Sequence, residues 1–433
     1  MSDPAEFVVG VDVGSSSARA IAIDRAGSVV GSSVARYSGS EDLPMGDVDP
    51  QTWLEGTRTA VASLDRGSPA AICVGGHGPT TVSREGERAL TFRHSAGQGG
   101  TAAEQHAAQT AALRAEYGPQ VQPRQLWDWV LSRMGGSAAI QSVWPGSPIL
   151  PEFGDVVPVG SVVGTTRDVP EIPDGIPLVP GANDAFLTSW GSGIDVPGRA
   201  FDPGGRTGGL GAAVAADVHT DAGKYGMPSA VPGVFILGGP VAAHGTLLDW
   251  WSEITGRPIP ELLELAAKVA PGAEGVMVLP FLEGERAPRW NHDLRAEILG
   301  LHTSSSVGVI TRAILESTAY GIGHITMGLR EQGVHIDRLV CSGGPSRSTL
   351  WCEIKAAVLE IPIDVPECDE MASYGAALGG GAALGWWPRP GEGVSGDWPR
   401  PAMTTIEPKP LEVYRAGLAR FIALGDEAEA RLA

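Results

Sequence analysis

The stretch Phe7 to Asp24, FVVGVDVGSSSARAIAID, places two apolar runs on either side of a glycine-serine turn, and an aspartate, Asp12, lies inside the first run. The runs read as paired strands around a tight turn. A carboxylate inside a buried strand requires a partner or a cation to offset its desolvation, which makes Asp12 a candidate site residue. The turn Gly14-Ser15-Ser16-Ser17 offers backbone N–H groups and hydroxyls to an anion, and Arg19 follows on the returning strand. Taken alone, the segment supports two readings: a phosphate-handling hairpin, or an ordinary hairpin whose aspartate caps its own turn.

A chain of 433 residues with 43% hydrophobic content exceeds one typical core, so two domains of about 200 residues each are expected. The net charge of −19 argues against a nucleic-acid partner, because phosphate backbones are bound through Lys and Arg clusters. An acidic chain can still bind an anionic nucleotide where backbone dipoles and Mg²⁺ offset the repulsion. Cys73, Cys341, Cys352 and Cys368 form no CxxC pair and no metal-ligand spacing, and they read as reduced, packed thiols. The start, Met1-Ser2-Asp3-Pro4, lacks the basic and apolar regions of a signal peptide, so a cytoplasmic location is expected. The run from Ala372 to Trp387 is apolar but glycine-rich and short for a membrane span, which points to close helix packing and no membrane partner.

Period and punctuation predict strands over 8–13, 18–24, 28–36 and 71–74 and a helix over 49–64, with Asp49 as N-cap and Pro50 at the first helical position. Further helices are predicted over 102–117, 307–332, 348–359, 374–384 and 411–432. Ser348 caps the third of these, and Tyr414, Leu418, Phe421 and Leu424 line one face of the last. From about Ala200 the pattern restarts, with FDPGGRTGGLGAAVAADV placing a glycine turn beside a small-apolar strand. Ile72-Cys73-Val74-Gly75-Gly76-His77-Gly78-Pro79 likewise has a counterpart in Leu339-Val340-Cys341-Ser342-Gly343-Gly344-Pro345-Ser346. This suggests a weak internal duplication, with domains at 1–198 and 199–433 and a ligand between them.

No GxxxxGK[ST] loop, no GxGxxG fingerprint and no HExxH or CxxC metal motif occurs. Instead, a series of segments resembles one family. Asp12 to Arg19 is similar to the first phosphate hairpin of the sugar kinase, hexokinase, actin and Hsp70 superfamily, and Gly75-Gly76-His77-Gly78-Pro79 to its first connecting segment. Pro280-Phe281-Leu282-Glu283-Gly284-Glu285-Arg286-Ala287-Pro288-Arg289-Trp290, followed by Leu299-Gly300-Leu301, resembles the signature of the FGGY carbohydrate kinases. Gly343-Gly344-Pro345-Ser346-Arg347-Ser348 with Trp351 resembles their adenosine segment, Tyr374-Gly375-Ala376-Ala377 the helix start behind it, and Gly181-Ala182-Asn183-Asp184 the loop of their catalytic base.

The resemblance implies an α/β protein of two RNase H-like (actin-like ATPase) domains with an interdomain cleft, using ATP and Mg²⁺ on a small polyhydroxy substrate. Phosphoryl transfer asks for in-line positioning, charge neutralisation and a base. By this carry-over Asp184 is the base, with an N-cap role as its structural alternative, and Asp12 orients Mg²⁺. Gly14, Ser15, Ser16 and Arg19 handle phosphate on one side, and Gly205, Arg206 and Thr207 on the other. Gly343, Gly344 and Ser346 lie along adenosine. His77, Gly78, Arg93, His94, Asn183 and Asp184 border the substrate, although a lone histidine at His77 also fits a structural role. Trp53 reads as a core residue bordering the same pocket, and Glu285 with Arg286 as a pair bracing the signature loop.

The chain departs from the family pattern in places. Arg206-Thr207 replaces a Thr-Ser pair, and this arginine would either clamp a phosphate or fill the nucleotide site. Glu353 and Ala357 stand where Gln and Asp are frequent, and Phe92-Arg93-His94-Ser95 replaces a segment carrying a substrate carboxylate. The stretch Met134 to Pro151 is short, as if lacking elements that close one side of the sugar pocket. Arg93 and His94 would suit an anionic substrate. The leading expectation is a pentulose kinase, xylulose-like, with gluconate or a polyol next. The alternative is a catalytically weak homologue acting as a nucleotide or sugar sensor. A homodimer is an open possibility.

Overall fold

The computed structural model describes residues 6–37, 46–86, 88–97, 101–138, 140–205, 208–215, 218, 225–241 and 243–432. The chain divides into two compact units, the first made of residues 1–195, 228–232 and 370–401, the second of 196–227, 233–369 and 402–433.

The first unit is built on a six-stranded sheet. Strands β1 (Phe7–Val13), β2 (Ser17–Asp24) and β3 (Val29–Arg36) form an antiparallel meander. Strand β4 (Ile72–Gly76) pairs parallel to β1, β5 (Pro177–Asn183) pairs parallel to β4, and the short strand Gly164–Thr165 closes the edge antiparallel. Every residue of β1 is buried because both of its faces are covered. Val9, Val11 and Val13 share a core with Trp53 and Ala60 of helix α1 (Gln51–Ala62). On the other face Gly10 meets the Met371–Ala383 helix so closely that a Cβ there would lie 2.1 Å from Ala377 N and Ser373 O. The sequence reading ended the first domain at 198 and placed 370–401 in the second. The structure returns that segment to the first unit, because its glycine-rich helix packs on β1 and on helix α2 (Asp184–Gly191), where Gly375 lies against the Leu187 carbonyl.

The second unit repeats the plan in a seven-stranded sheet. Its order is Tyr225–Pro228, β8 (Val234–Pro240), β7 (Gly209–Ala215), β6 (Arg199–Asp202), β9 (Arg338–Cys341), β10 (Ile363–Pro366) and β11 (Met403–Ile406). Strands β6, β7 and β8 are antiparallel neighbours, β9 runs parallel to β6, β10 parallel to β9, and β11 antiparallel at the edge. The match extends to connections: the two strands that the sequence pairs through their Gly-Gly turns, β4 and β9, each run parallel to the first strand of their own unit. Helices α4 (Val307–Glu331) and α5 (Thr349–Leu359) cover this sheet, and α3 (Gly245–Thr255) packs on α4, with Ser348 capping α5 as its spacing predicts.

Local signals locate most elements to within a few residues. The 102–117 helix is found over Ala102–Tyr117, closed by a capping box between Thr101 and Glu104. The helix expected from Asp49 begins at Gln51 with Pro50 at the N-cap position, and the Gln51 N–H bonds to the Asp49 carboxylate at 2.9 Å. The 134–151 stretch retains one strand, Ile140–Val143, paired with Asp155–Pro158. Among the described residues no helix is long and apolar enough to cross a membrane, and all four cysteines are buried.

Candidate functional site

In the first unit the C-terminal ends of β1 and β5 flank β4, and each carries a candidate carboxylate. Asp12 lies opposite Arg19 in the β1–β2 hairpin, with its Oδ2 3.7 Å from the guanidinium. Arg19 also meets Glu370, at the start of the Met371–Ala383 helix, at 3.3 Å. The other oxygen, Asp12 Oδ1, is buried with no partner among the described residues. A buried carboxylate oxygen left open in this way requires a ligand when ionised. Burial first, and the charge of Asp184 next, hold the Asp12 pKa well above the usual carboxylate range, against the pull of Arg19.

Asp184 opens α2. Its pKa is also raised by burial, with the Ala185 N–H and Arg19 pulling it back down. The cap belongs to Asn183, whose Oδ1 accepts the Ala185 N–H at 2.9 Å. Asp184 Oδ1 shares that donor at 2.8 Å. The two roles anticipated for Asp184 are thus divided between neighbours, and the carboxylate is half-buried at the strand end beside the charge of Asp12.

The Gly14 turn is closed by Gly14 N–H to the Ser17 carbonyl at 3.0 Å, and the Tyr37 hydroxyl donates to the Gly14 carbonyl at 3.2 Å. Ser15 and Ser16 are exposed at its tip. His77, at the end of β4, is 4% exposed and sits between the rings of Trp53 and Phe92 at centroid distances of 5.3 and 5.8 Å. Its Nδ1 is 3.0 Å from the Thr80 hydroxyl, while Nε2 is buried and unpartnered. Burial and the nearby Arg93 charge push its pKa down to about 3, so the ring is neutral and offers a single donor or acceptor at Nε2. Gly78 sits beside Asn183, where a Cβ would lie 3.0 Å from Nδ2. Arg93 is exposed, with its guanidinium over the Phe92 ring at 5.5 Å. His94 is committed to its own turn, its Nδ1 accepting the Ala96 N–H at 3.1 Å.

In the second unit the glycine turn after β6 and the Gly343-Gly344 turn after β9 pack directly on one another. A Cβ on Gly204 would lie 2.2 Å from the Ser342 carbonyl, and one on Gly343 would lie 2.9 Å from that of Pro203. Gly204, Gly205, Gly208 and Gly343 have φ of +60°, +73°, +64° and +72°, a region glycine occupies without strain. The surroundings of Gly344 are open. The Ser346 hydroxyl donates to the Gly343 carbonyl at 2.7 Å and shapes its own turn. Arg206 and Thr207 lie outside the described residues. The signature loop departs from expectation: Glu285 pairs with Arg289 at 2.8 Å rather than with Arg286, and Arg289 ties the loop to Asp426 of the C-terminal helix. Sequence reasoning missed Glu370, which lies just before the segment it assigned to a helix start, and it missed the buried Asp202, Lys355 and His244 beneath the second glycine turn.

Among the described residues no group of three or more His, Cys, Asp or Glu gathers that could hold a metal ion. Mg²⁺ would fit the first unit only as an ion held largely by phosphates, and Asp12, with its unpartnered oxygen, is the residue that would hold it or its water. If the unpartnered oxygen is the open ligand position, Asp12→Asn raises the melting temperature of the ligand-free protein at pH 8, raises it less at pH 5, and changes it little only below the ordinary carboxylate pKa. The folded-state pKa lies above the unfolded one, so the ionised form is the destabilised one and stability falls as pH rises from the unfolded value to the raised one, where the loss is complete. The expected gain at pH 8 is on the order of 2 kcal/mol. A lower melting temperature at pH 8 would contradict the assignment.

Repeated RNase H-like units of this order define the class of two-domain actin-like ATPase folds, and solved kinase structures superpose on the chain accordingly. A xyloylose kinase from Brucella ovis matches with a TM-score of 0.82 at 23% identity, covering 98% of this chain and 100% of that one. Residues 209–384 match the C-terminal domain of the FGGY family of carbohydrate kinases. A gluconokinase from Bacillus subtilis (strain 168) is 29% identical over 222 residues, 48% of this chain and 43% of the relative. A glycerol kinase from Methylorubrum populi is 31% identical over 250 residues, 55% of this chain and 48% of the relative. The matched stretches therefore span less than half of either relative.

Proposed function

We propose that this chain transfers the terminal phosphoryl group of ATP to a hydroxyl of a small polyhydroxy compound. A pentulose such as xylulose is the first candidate, and gluconate or a polyol come next. The observation that carries this reading is the pair Asp12 and Asp184, two carboxylates with raised pKa values at the ends of the two strands that flank β4, one with an open oxygen and both within the influence of Arg19. A base needs a proton affinity near the working pH, which burial supplies to Asp184. Arg19 and the N–H groups of the Gly14 turn suit phosphate oxygens, and bound Mg²⁺ would neutralise phosphate charge. The backbone turns at Gly204, Gly205, Gly343 and Gly344 suit the nucleotide, and the neutral Nε2 of His77 suits a sugar hydroxyl.

Arg93 is the feature that favours an acidic acceptor, since its charge already reaches His77. A coupled ADP-release screen over ketoses, aldonates and polyols tests the reading. Turnover with one class and none with the rest is the expected result, and Arg93→Gln would raise KM about tenfold for an aldonate while sparing a neutral ketose. A second reading, a sensor, is favoured by the hold of Ala185 N–H on Asp184. MgADP binding without ADP release from any acceptor would decide for it.

A further inference from the structure

The second unit contains a charged cluster that the proposed reaction does not use. Asp202 ends β6 with 0% exposure, and its Oδ2 accepts a hydrogen bond from Lys355 Nζ of α5 at 2.5 Å. Lys355 is 1% exposed, and its ammonium lies 5.6 Å from the centroid of the Trp351 ring. His244 stacks on the same ring at 4.7 Å, with its Nε2 3.7 Å from Asp202 Oδ2 and neither ring nitrogen hydrogen-bonded among the described residues. Burial works against the Asp202 charge, yet the Lys355 ammonium outweighs it and holds the carboxylate below its usual range. His244 is pushed down to about 3 by burial and by Lys355, so it packs as a neutral ring.

A buried ion pair is a poor device for stability alone, since an apolar pair of equal volume serves as well or better. What sets this one apart is the second oxygen. Asp202 Oδ1 accepts the N–H of Gly204 at 2.9 Å and that of Gly209 at 3.2 Å, the residues flanking the glycine turn. The turn is held further by Gly208 N–H to the Gly204 carbonyl at 3.0 Å, and by Gly245 N–H, at the start of α3, to the Gly205 carbonyl at 3.1 Å. The space beside Gly205 is open, since a Cβ there would meet nothing within 4 Å. Such a turn receives an anion well only if its backbone is oriented beforehand.

We propose that Asp202 is a positioning residue: paired with Lys355, it fastens Gly204 and Gly209 so that the backbone of Gly204 and Gly205 is preset for the phosphates of a nucleotide. This rests on the nucleotide-binding part of the function proposed above. The alternative, a pair that only stabilises the fold, predicts that nucleotide affinity follows stability.

The experiment compares Asp202→Ala, Lys355→Met and the double variant with the wild-type chain, by melting temperature, by calorimetry with MgADP, and by KM for ATP and for the acceptor. Each single variant leaves one buried charge unpaired and melts lower. The double variant regains most of the lost melting temperature, yet binds MgADP about tenfold or more weakly, with acceptor KM unchanged. A second double variant, Asp202→Asn with Lys355→Met, keeps a carbonyl oxygen for the two N–H groups and recovers most of the MgADP affinity. Wild-type MgADP affinity in the Asp202→Ala, Lys355→Met variant overturns the proposal. If the wild-type chain binds MgADP but phosphorylates no acceptor, the kinase reading falls and the positioning role stands. If the wild-type chain does not bind MgADP, both fall.

Discussion

Asp184→Asn lowers kcat by roughly 10²- to 10⁴-fold, the range expected for loss of a general base, while the Kd for MgATP stays within about twofold of wild type. The substitution is structurally mild. Asn183 is the cap of α2, and an asparagine at 184 still offers an oxygen to the Ala185 N–H that Asp184 now accepts at 2.8 Å. Removing a buried negative charge also relieves Asp12, whose pKa is raised in part by Asp184, so the variant melts no lower than the wild type. A base must be ionised to act. Because burial lifts the Asp184 pKa, wild-type kcat declines with acidity from a pH above the ordinary carboxylate range, and the residual rate of the variant lacks that limb. Steady-state rates from pH 5 to pH 9 with calorimetry at one pH make the comparison. Unchanged turnover in the variant would remove the base assignment and leave Asp184 as an accessory to the cap.

Much of this site was legible because its signals are local. Asp12 stands in a run of Val and Gly, and the desolvation argument needs only that run and the turn after it. The strands around His77 and Asp184 end in glycine or asparagine turns that the residues themselves announce. The same argument applied to the FDPGG run would have singled out Asp202, and applied to TLWCEIKAAVL it would have singled out Lys355. Their pairing was not legible, because the partners are 153 residues apart and nothing in either segment names the other. The pairing of Glu285 was not legible for a similar reason: Arg286 is its neighbour in sequence, but Arg289 is held in place by Asp426 of the distant C-terminal helix. The boundary at 198 failed furthest, since where residues 370–401 pack is decided on β1, at the other end of the chain.

That long-range packing depends on Gly10, and Gly10→Val is expected to destabilise the first unit by about 3 kcal/mol or more. A Cβ at this position falls 2.1 Å from Ala377 N and Ser373 O and 2.8 Å from the Ala376 carbonyl carbon, all backbone atoms of one helix. Backbone cannot rotate aside as a side-chain tip can, so the Met371–Ala383 helix must lift from the sheet or the strand must bend. Glu370 precedes that helix and meets Arg19, the partner of Asp12. Lifting the helix therefore disturbs the charged cluster as well as the core, and the phosphoryl transfer proposed for it falls with stability. Gly380→Ala, in the same helix, is the matched control. Its Cβ would meet Val8 Cβ at 3.3 Å, a contact that small side-chain shifts absorb, and alanine gains about 1 kcal/mol of helix propensity over glycine. Thermal melts of both variants should separate them, with Gly380→Ala near the wild type and Gly10→Val far below it. A Gly10→Val protein that melts with the wild type would mean that residues 370–401 do not pack on β1 in solution.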